Sequence, residues 1–431
     1  MSSLDPPASK TSCITIVGAG LFGLTTALEL TRRGYKNVQV VDRYLPPVAD
    51  GSSVDISRII RPDYADAFYA KLGLEAMRGW GEGGEYSPFF YRSGLLCMAG
   101  EGSHPYLEQS QANLEKMGIK TQNLRGNEMR ERYPGVISGD LARARGYANT
   151  ICGWADAQQA ISYLARQCTQ AGVSFLTGSH GTVLSLVTNG ANEVIGVRTL
   201  TGAVIKSDQV ILATGAWTPH LLDMANMSVS TGQPVGFLQL TEQEAEQMKD
   251  SPVIIDLSTG WFVFPPTPGT RILKMARHGY GYETSRTPSL QRDQKVSVPK
   301  LDSSNVNSTF LPTDAELALR QGLALFFPQL KDRPFINRRL CWYTDTPQGD
   351  FVIDHHPSYK NLFVATGGSG HAFKFLPALG RHIVDNFEHK ASTEQKEKWA
   401  WKPTSTPISK GDGSRGGPPR RVLRRDEQAR L

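Results

Sequence analysis

The chain has 431 residues, of which 39% are hydrophobic and 20% charged, a composition typical of a globular enzyme with room for two domains. It has no run of eighteen apolar residues, which disfavours a membrane-spanning helix, and its first twelve residues lack the features of a secretory signal. Its five cysteines are unclustered, so they resemble neither a disulfide framework nor a metal site, and we expect a reducing, intracellular setting.

The first predicted unit is a strand, a tight turn, a helix and a second strand. Gly18, Gly20 and Gly23 follow an apolar run with G-x-G-x-x-G spacing, and residues 21–33 have the apolar periodicity of a helix. Asp42 ends the next apolar run, 19 residues after Gly23. The glycines let a pyrophosphate approach the helix N-terminus, and the acidic side chain can accept hydrogen bonds from a ribose. The unit predicts a site for FAD or NAD; the alternative is a glycine-rich packing turn.

A later apolar stretch, QVILATGAW at 209–217, ends in Ala-Thr-Gly. Small residues at the end of a strand let a cofactor pass close by, although an ordinary buried strand and turn would look the same. Together with the early glycine motif, this stretch favours the FAD-binding fold, in which separated segments build one cofactor domain. The stretches GWFVFPP and RILKMARHG are predicted to be antiparallel strands of a second sheet.

Three further segments resemble one family of enzymes. They are SSVDISRIIRPDY at 52–64, CWYTDTPQGDFVIDHHP at 341–357 and NLFVATGGSGHAFKF at 361–375. Together they are similar to the monomeric sarcosine oxidase family of flavoenzymes, which includes L-pipecolate oxidase, L-saccharopine oxidase and the fructosyl amino acid oxidases, or amadoriases. The similarity runs from about residue 12 to residue 388.

The resemblance implies that Cys341 carries FAD covalently, through a thioether to the 8α-methyl group of the flavin. A reactive thiolate requires electropositive surroundings, to which the neighbours Arg338 and Arg339 are candidate contributors. The alternative is a small buried hydrophobic residue. The expected cofactor contacts are Gly18, Gly20, Leu21, Phe22, Gly23, Asp42, Arg43, Ser52, Ser53, Arg58, Cys341, Gly368, Gly370, His371 and Lys374.

The resemblance also implies a substrate pocket in which Arg61 and Lys374 hold a carboxylate. A guanidinium can bind a carboxylate through two parallel hydrogen bonds. Lys274 is implied to activate dioxygen, since a cation placed in advance stabilises the negative charge that dioxygen acquires. Without the resemblance, exposed arginines and a lysine that snorkels to solvent are the alternatives. The other implied site residues are Arg58 and His278 in catalytic roles, and Tyr64 and Tyr343 as pocket lining.

The expected fold class is α/β, with an FAD-binding Rossmann-like domain interleaved with a substrate domain on a mixed, largely antiparallel sheet. The assigned ranges are 10–98, 146–228 and 345–388 for the FAD domain, and 99–145 and 229–344 for the substrate domain.

The expected reaction is FAD-dependent oxidation of a secondary amine carrying a carboxylate, such as L-saccharopine, L-pipecolate or sarcosine, to an imine and hydrogen peroxide. Val54 and Asp55 replace an imidazole-bearing stretch of the sarcosine oxidases, which disfavours sarcosine itself. The alternatives are an amadoriase, a biosynthetic amine oxidase and a non-catalytic flavin-binding protein. We expect a monomer with dioxygen as its acceptor and with no nucleic-acid, membrane or metal partner.

Residues 389–431 form a basic tail that composition predicts to be flexible, because Pro, Gly, Ser and Arg dominate it. Five of the six net positive charges fall in 391–431, but the last thirty residues contain no aromatic side chain to stack on a base. Ala429-Arg430-Leu431 has the small-basic-leucine form of a peroxisomal address. We therefore expect a peroxisomal location reached through an import receptor, with the cytoplasm as the alternative.

Overall fold

The computed structural model describes residues 8–289, 295–302, 307–404 and 411–431. Its described helices are α1 (Leu21–Arg32), α2 (Ala67–Trp80), α3 (Pro105–Lys116), α4 (Glu128–Arg132), α5 (Ala157–Gln170), α6 (Thr218–Leu221), α7 (Glu242–Met248), α8 (Thr313–Phe326), α9 (Leu376–Phe387), α10 (Thr393–Trp399) and α11 (Arg425–Ala429).

The described strands of the first half of the chain are β1 (Cys13–Val17), β2 (Asn37–Val41), β3 (Arg58–Ile60), β4 (Phe90–Tyr91), β5 (Leu95–Ala99), β6 (Gln122–Arg125), β7 (Arg145–Asn149), β8 (Gly153–Ala155), β9 (Ser174–Leu176), β10 (Val183–Thr188), β11 (Val194–Thr199), β12 (Val204–Lys206) and β13 (Gln209–Leu212). Those of the second half are β14 (Val229–Gln239), β15 (Val253–Asp256), β16 (Trp261–Val263), β17 (Ile272–Arg277), β18 (Tyr282–Glu283), β19 (Asn337–Asp345), β20 (Val352–His355), β21 (Leu362–Thr366) and β22 (Arg421–Val422).

The first sheet has six strands in the order β20-β21-β13-β1-β2-β9, and only the edge strand β20 runs antiparallel to its neighbour. Its central strands are continuous apolar runs, as expected for a parallel sheet covered on both faces. Helices α1 and α9 pack together, so closely that a Cβ on Gly380 would lie 2.4 Å from the Thr25 carbonyl oxygen. This sheet places the glycine turn after β1 beside the end of β13.

The second large sheet has ten strands in the order β22-β18-β14-β17-β16-β15-β5-β7-β6, with β19 paired to β14. Most of its pairs are antiparallel, including β16 with β17, and the parallel pairs are β15 with β5 and β18 with β22. Strands β5 and β7 belong to this sheet, whereas the sequence-based ranges put residues 95–98 and 146–149 in the FAD domain. The reason is that β5 has no alternation of apolar and polar residues and is buried along its whole length. Its sequence therefore does not indicate which sheet it joins.

Two three-stranded antiparallel sheets complete the described strands, β10-β11-β12 and β3-β8-β4. The second of them holds Arg58 at the start of an extended strand that ends at Ile60, directly before Arg61.

The described parts of residues 389–431 pack on the body, which corrects the prediction of a flexible tail; residues 405–410 lie outside the described residues. Trp399 is fully buried, β22 pairs with β18, and Leu431 is buried in the same apolar cluster as Phe310. The average composition of this segment predicted disorder because its few buried apolar residues are spread among many polar ones. None of the described helices is long and apolar enough to cross a bilayer.

Candidate active site

A cavity of about 490 Å³ lies at the carboxyl ends of β1, β2 and β13. Small ligands typically occupy this position in open α/β sheets. Thr214, Gly215 and Trp217 from the Ala-Thr-Gly stretch line it. The predicted cofactor contacts that line it are Gly18, Gly20, Leu21, Phe22, Asp42, Arg43, Ser52, Ser53, Arg58, Gly368 and Gly370.

The glycines of the turn after β1 let neighbouring backbone segments pack closely beside the cavity. Gly18 has a φ of +113°, and a Cβ there would lie 2.4 Å from the Ala213 carbonyl oxygen. Gly23 does not line the cavity; a Cβ there would lie 1.9 Å from the Gly18 carbonyl oxygen, so it serves the packing of the helix against the turn. Ser53 Oγ accepts a hydrogen bond of 2.9 Å from the Leu21 amide at the start of α1.

Asp42 ends β2 and bonds back to the turn. Its Oδ2 accepts a hydrogen bond of 2.7 Å from the Ala19 amide, and its Oδ1 accepts one of 2.6 Å from the Arg43 amide. Burial raises the pKa of Asp42, against these hydrogen bonds and the charge of Arg43. The carboxylate is therefore held rigidly beside the cavity.

A second cavity of about 90 Å³ adjoins the first. The two cavities share Arg58, Tyr343, Gly370 and Phe373 in their linings. Most of the remaining predicted site residues line the second cavity: Arg61, Tyr64, Lys274, His278, Cys341, His371 and Lys374. The structure thus brings together segments that are far apart in the sequence. They form a large cavity and, beside it, a small pocket whose charged side chains are mostly cationic.

Three cations surround the buried carboxylate of Asp55. Its Oδ2 lies 2.6 Å from Arg58 Nη1, 2.9 Å from Lys274 Nζ and 3.2 Å from Arg339 Nη2. Burial lowers the pKa of Lys274 to about 7, although Asp55 opposes the shift. Burial alone would raise the pKa of Asp55, but Lys274, Arg58 and Arg339 hold it below its usual value. The sequence singled out Asp55 only as a departure from the family pattern, so its role as the counter-ion of Lys274 was missed.

Cys341 lies on β19 where the two cavities meet, and only 9% of it is exposed. Its Sγ is 3.8 Å from Arg58 Nη2. Arg338 pairs with Glu316 instead, and Arg339 pairs with Asp55. The positive charge in contact with the thiol therefore comes from Arg58, not from the arginines adjacent in sequence.

Arg61 and Lys374 form the opposite end of the small pocket. Both are buried, at 8% and 6% exposure, and neither makes an ion pair with a carboxylate of the described residues. Arg61 Nη1 has no hydrogen-bond partner, and Lys374 Nζ donates to the His371 carbonyl oxygen over 2.8 Å. Burial, and then the charge of Arg61, lowers the pKa of Lys374 well below its usual value. Two buried cations without an anion are costly, so this end of the pocket is made for an anionic ligand.

Tyr64 packs beside both of these cations. Its ring centre lies 4.9 Å from Arg61 Cζ and 5.3 Å from Lys374 Nζ. Its hydroxyl is 3.0 Å from His371 Nδ1, and His371 Nε2 is 2.7 Å from the Gly349 carbonyl oxygen. Because a carbonyl can only accept, Nε2 carries the proton and Nδ1 accepts from Tyr64. Burial and then Lys374 lower the pKa of His371, so this neutral ring is a fixed support for the pocket.

Among the pocket residues that the sequence did not indicate are Tyr106, Asp412, Ser414 and Arg415. Tyr106 Oη lies 3.4 Å from Arg61 Nη2. The other three belong to the C-terminal segment that was expected to be flexible. Its G-D-G-S-R run resembles a surface turn, and only the tertiary structure shows that it enters the pocket.

A dinucleotide-type cavity that adjoins a buried pocket lined by arginine, lysine and cysteine side chains is typical of a dinucleotide-dependent oxidoreductase.

The comparisons with known proteins identify the family. Residues 13–386 match the family described as FAD dependent oxidoreductase. L-saccharopine oxidase of Schizosaccharomyces pombe is 34% identical over 90% of this chain and 93% of its own length, and peroxisomal sarcosine oxidase of Homo sapiens is 26% identical over 86% and 90%. The crystal structure of fructosamine oxidase (Amadoriase II) from Aspergillus fumigatus superposes with a TM-score of 0.84 and 31% identity, covering 96% of each chain. The chain belongs to the FAD-dependent oxidoreductase family, and the predicted family, fold class and enzyme class are confirmed.

The residues present fit FAD. Gly18 and Gly20 line the cavity in front of the start of α1, where a pyrophosphate would lie, and Asp42 lines it at the end of β2, where a ribose would lie. From there the large cavity continues to Arg58 and Gly370, next to Cys341. These residues would hold the cofactor along the cavity and place its far end at the cationic pocket.

Proposed function

We propose that this protein is an FAD-dependent oxidase of secondary amines that carry a carboxylate, with the substrate bound in the small pocket. The observation that carries the proposal is the pair of buried cations, Arg61 and Lys374, which has no carboxylate partner among the described residues and lies in the pocket that adjoins the cofactor cavity. The names of the relatives, an L-saccharopine oxidase and a sarcosine oxidase, agree with this substrate class. A screen of sarcosine, L-pipecolate, L-saccharopine and fructosyl amino acids for hydrogen peroxide tests it; peroxide from none of them would contradict it.

The bound flavin would supply the two-electron acceptor for this chemistry. Arg61 and Lys374 orient the substrate by its carboxylate, so that the carbon beside the amine is held at the junction of the cavities. The apolar walls formed by Leu257, Phe262 and Phe264 keep water away from that carbon. His278 and Tyr343, with ring centres 5.9 Å apart, complete the junction on the side of β19. Dioxygen as the acceptor and a monomeric state are parts of the same proposal.

We expect the flavin to be attached covalently to Cys341, an expectation supported by the position of its thiol near Arg58 Nη2 at the junction of the cavities. The Arg58 guanidinium is the cation in contact with this thiol, with 3.8 Å between Nη2 and Sγ. Acid-precipitated wild-type protein should be yellow, and the Cys341→Ala pellet should be colourless.

Cys152, which is buried and bonds to Asp63, provides a matched control as Cys152→Ala. That variant should keep the colour in its pellet. A colourless wild-type pellet, or a coloured Cys341→Ala pellet, would remove the assignment of Cys341 as the attachment site.

Lys274 is proposed to promote the reaction with dioxygen. It lies fully buried on β17, its Nζ bonds to the Ser57 carbonyl oxygen over 2.7 Å, and Asp55 keeps a counter-charge beside it. Since a fixed cation stabilises the charge that dioxygen gains, Lys274→Met should slow reoxidation of the reduced enzyme far more than its reduction by substrate. Stopped-flow absorbance measures the two steps separately, and equal slowing of both would contradict this role.

We propose a peroxisomal location, supported by production of peroxide, by the terminal Ala-Arg-Leu sequence and by the name of the human relative. Leu431 is buried, and its main-chain carbonyl accepts a hydrogen bond from Lys300 Nζ. An import receptor would therefore bind the terminus before it docks or after it is released. An amino-terminally tagged chain should be punctate in cells and become diffuse when Leu431 is deleted; a diffuse pattern for both would favour the cytoplasm.

A further inference from the structure

The C-terminal segment 411–416 contributes two polar side chains, Asp412 and Ser414, to the lining of the small pocket. Among the described residues that line it, Asp412 is the one carboxylate, whereas Arg58, Arg61, Lys274 and Lys374 are cationic groups. This carboxylate has no part in the function proposed above, which uses FAD, Cys341, Arg61 and Lys374.

The segment that carries Asp412 is held firmly in place. Arg415 Nη2 binds Asp345 Oδ1 over 2.5 Å, and Arg415 Nη1 donates to the Gly279 carbonyl oxygen over 2.7 Å. The Gly416 amide donates to the His278 carbonyl oxygen over 3.2 Å. The side chain of Arg415 is only 6% exposed, so this anchor is buried. These contacts therefore hold Asp412 in the lining of the pocket.

A chain of hydrogen bonds orients the carboxylate. Ser414 Oγ donates to Asp412 Oδ1 over 2.5 Å, and His278 Nε2 lies 3.1 Å from Ser414 Oγ. Since the hydroxyl hydrogen is used on Asp412, Ser414 Oγ accepts from His278, whose ring is neutral because burial lowers its pKa well below the usual value. No described residue donates to Asp412 Oδ2, and no described lysine or arginine pairs with this carboxylate.

Asp412 and the carboxylate-binding end act on the same small space. Arg61 Nη2 lies 3.4 Å from Tyr106 Oη, and Arg61 Nη1 is buried without a partner. Burial, and then Asp412 against the opposing charge of Arg61, raises the pKa of Tyr106. Asp412 also raises the pKa of Lys374 against the effects of burial and of Arg61, although it forms no ion pair with either cation. The pocket thus holds one negative side chain together with two positive ones, and these three described residues form no ion pair with one another.

We propose that Asp412 recognises a second, protonated amino group of the substrate. The preferred substrate is then a secondary amine with a carboxylate held by Arg61 and Lys374 and a distal ammonium that donates to Asp412 Oδ2. This inference rests on the function proposed above and specifies its substrate class. A charged donor is favoured over a neutral hydroxyl because a hydrogen bond between two ions is stronger and neutralises the carboxylate.

Simple ω-aminocarboxylates test the recognition step without turnover, because they lack a secondary amine. The probes are 4-aminobutanoate, 5-aminopentanoate and 6-aminohexanoate, each beside the unsubstituted and the ω-hydroxy carboxylate of the same length. Binding to the holoenzyme is followed by the change in its visible spectrum. We expect at least one amino probe to bind about tenfold or more tightly than its two analogues. The Asp412→Asn variant should lose that preference and still bind the unsubstituted carboxylate as wild type does.

Asp426→Asn is the matched control, since Asp426 lies in the same C-terminal segment with a side chain that is 68% exposed. It should keep the preference for the amino probe. The inference would be overturned if wild type bound all three probe types equally or preferred the hydroxy probe. It would also be overturned if Asp412→Asn kept the preference for the amino probe. The wild-type comparison decides alone if Asp412→Asn does not fold. Failure of every carboxylate to bind wild type would instead refute the proposed carboxylate site and with it the proposed function.

Discussion

Replacing Arg61 with alanine should raise the apparent substrate constant by about 30-fold to several thousand-fold, with a smaller effect on kcat. Removing one partner of a buried, hydrogen-bonded charge pair costs about 2–5 kcal/mol, and each 1.4 kcal/mol is a factor of ten. Arg61 is buried, its Nη1 has no partner, and Lys374 cannot replace a guanidinium that binds through two parallel bonds. The measurement is steady-state kinetics with the substrate identified in the peroxide screen.

Inhibition by propionate and propionamide separates loss of the carboxylate contact from general damage. Arg61→Ala should weaken inhibition by the anion and leave the effect of the amide unchanged. Arg130→Ala provides the matched control because Arg130 is exposed on α4, and it should behave as wild type. An unchanged substrate constant in Arg61→Ala would place the carboxylate elsewhere and leave the two buried cations without an explanation.

The cofactor half of the site could be predicted because its signals are local. The glycine spacing, the helix that follows and Asp42 lie within one stretch of about thirty residues, in which each role follows from backbone geometry. Arg61, Lys274 and Lys374 could be singled out only through resemblance to a family, since a buried and an exposed cation look alike in a single sequence. The structure puts all three in one pocket.

The remaining parts of the site depend on contacts between distant segments. Asp55 gains its role from Lys274 on β17 and Arg339 on β19, two strands that both pair with β14. Asp412 enters the pocket because Arg415 binds Asp345 at the end of β19. Neither contact leaves a periodic pattern in the sequence, and the composition of the C-terminal segment indicated disorder. Long-range ion pairs of this kind lie beyond propensity and spacing arguments.

Replacing Asp55 with asparagine should lower the free energy of unfolding by about 3–5 kcal/mol, the range for breaking a buried ion pair on one side. Arg58 and Arg339 would then face each other around a neutral amide, and Lys274, whose pKa of about 7 is held up by Asp55, would lose its proton in the folded state. Because the cations lower the pKa of Asp55 in the folded state, its contribution is present above its unfolded pKa of about 3.9 and is lost as the pH falls through the folded value. The stabilities of wild type and variant should therefore differ at pH 7 and converge in acid. Urea unfolding of the holoenzyme, followed by fluorescence, measures the difference.

Asp55 and Lys274 should be coupled in the double variant. Lys274→Met removes the buried amine that has lost its counter-ion, so adding it to Asp55→Asn should restore part of the lost stability, whereas in wild type it should leave Asp55 with two cations and destabilise the fold. Asp332→Asn, at an exposed carboxylate, is the control and should not change stability. If the two destabilising effects simply added, the cluster would be a packing feature and Asp55 would not be the electrostatic counterpart of Lys274. Partial restoration would mean that Asp55 is what allows a buried lysine to be kept in the small pocket.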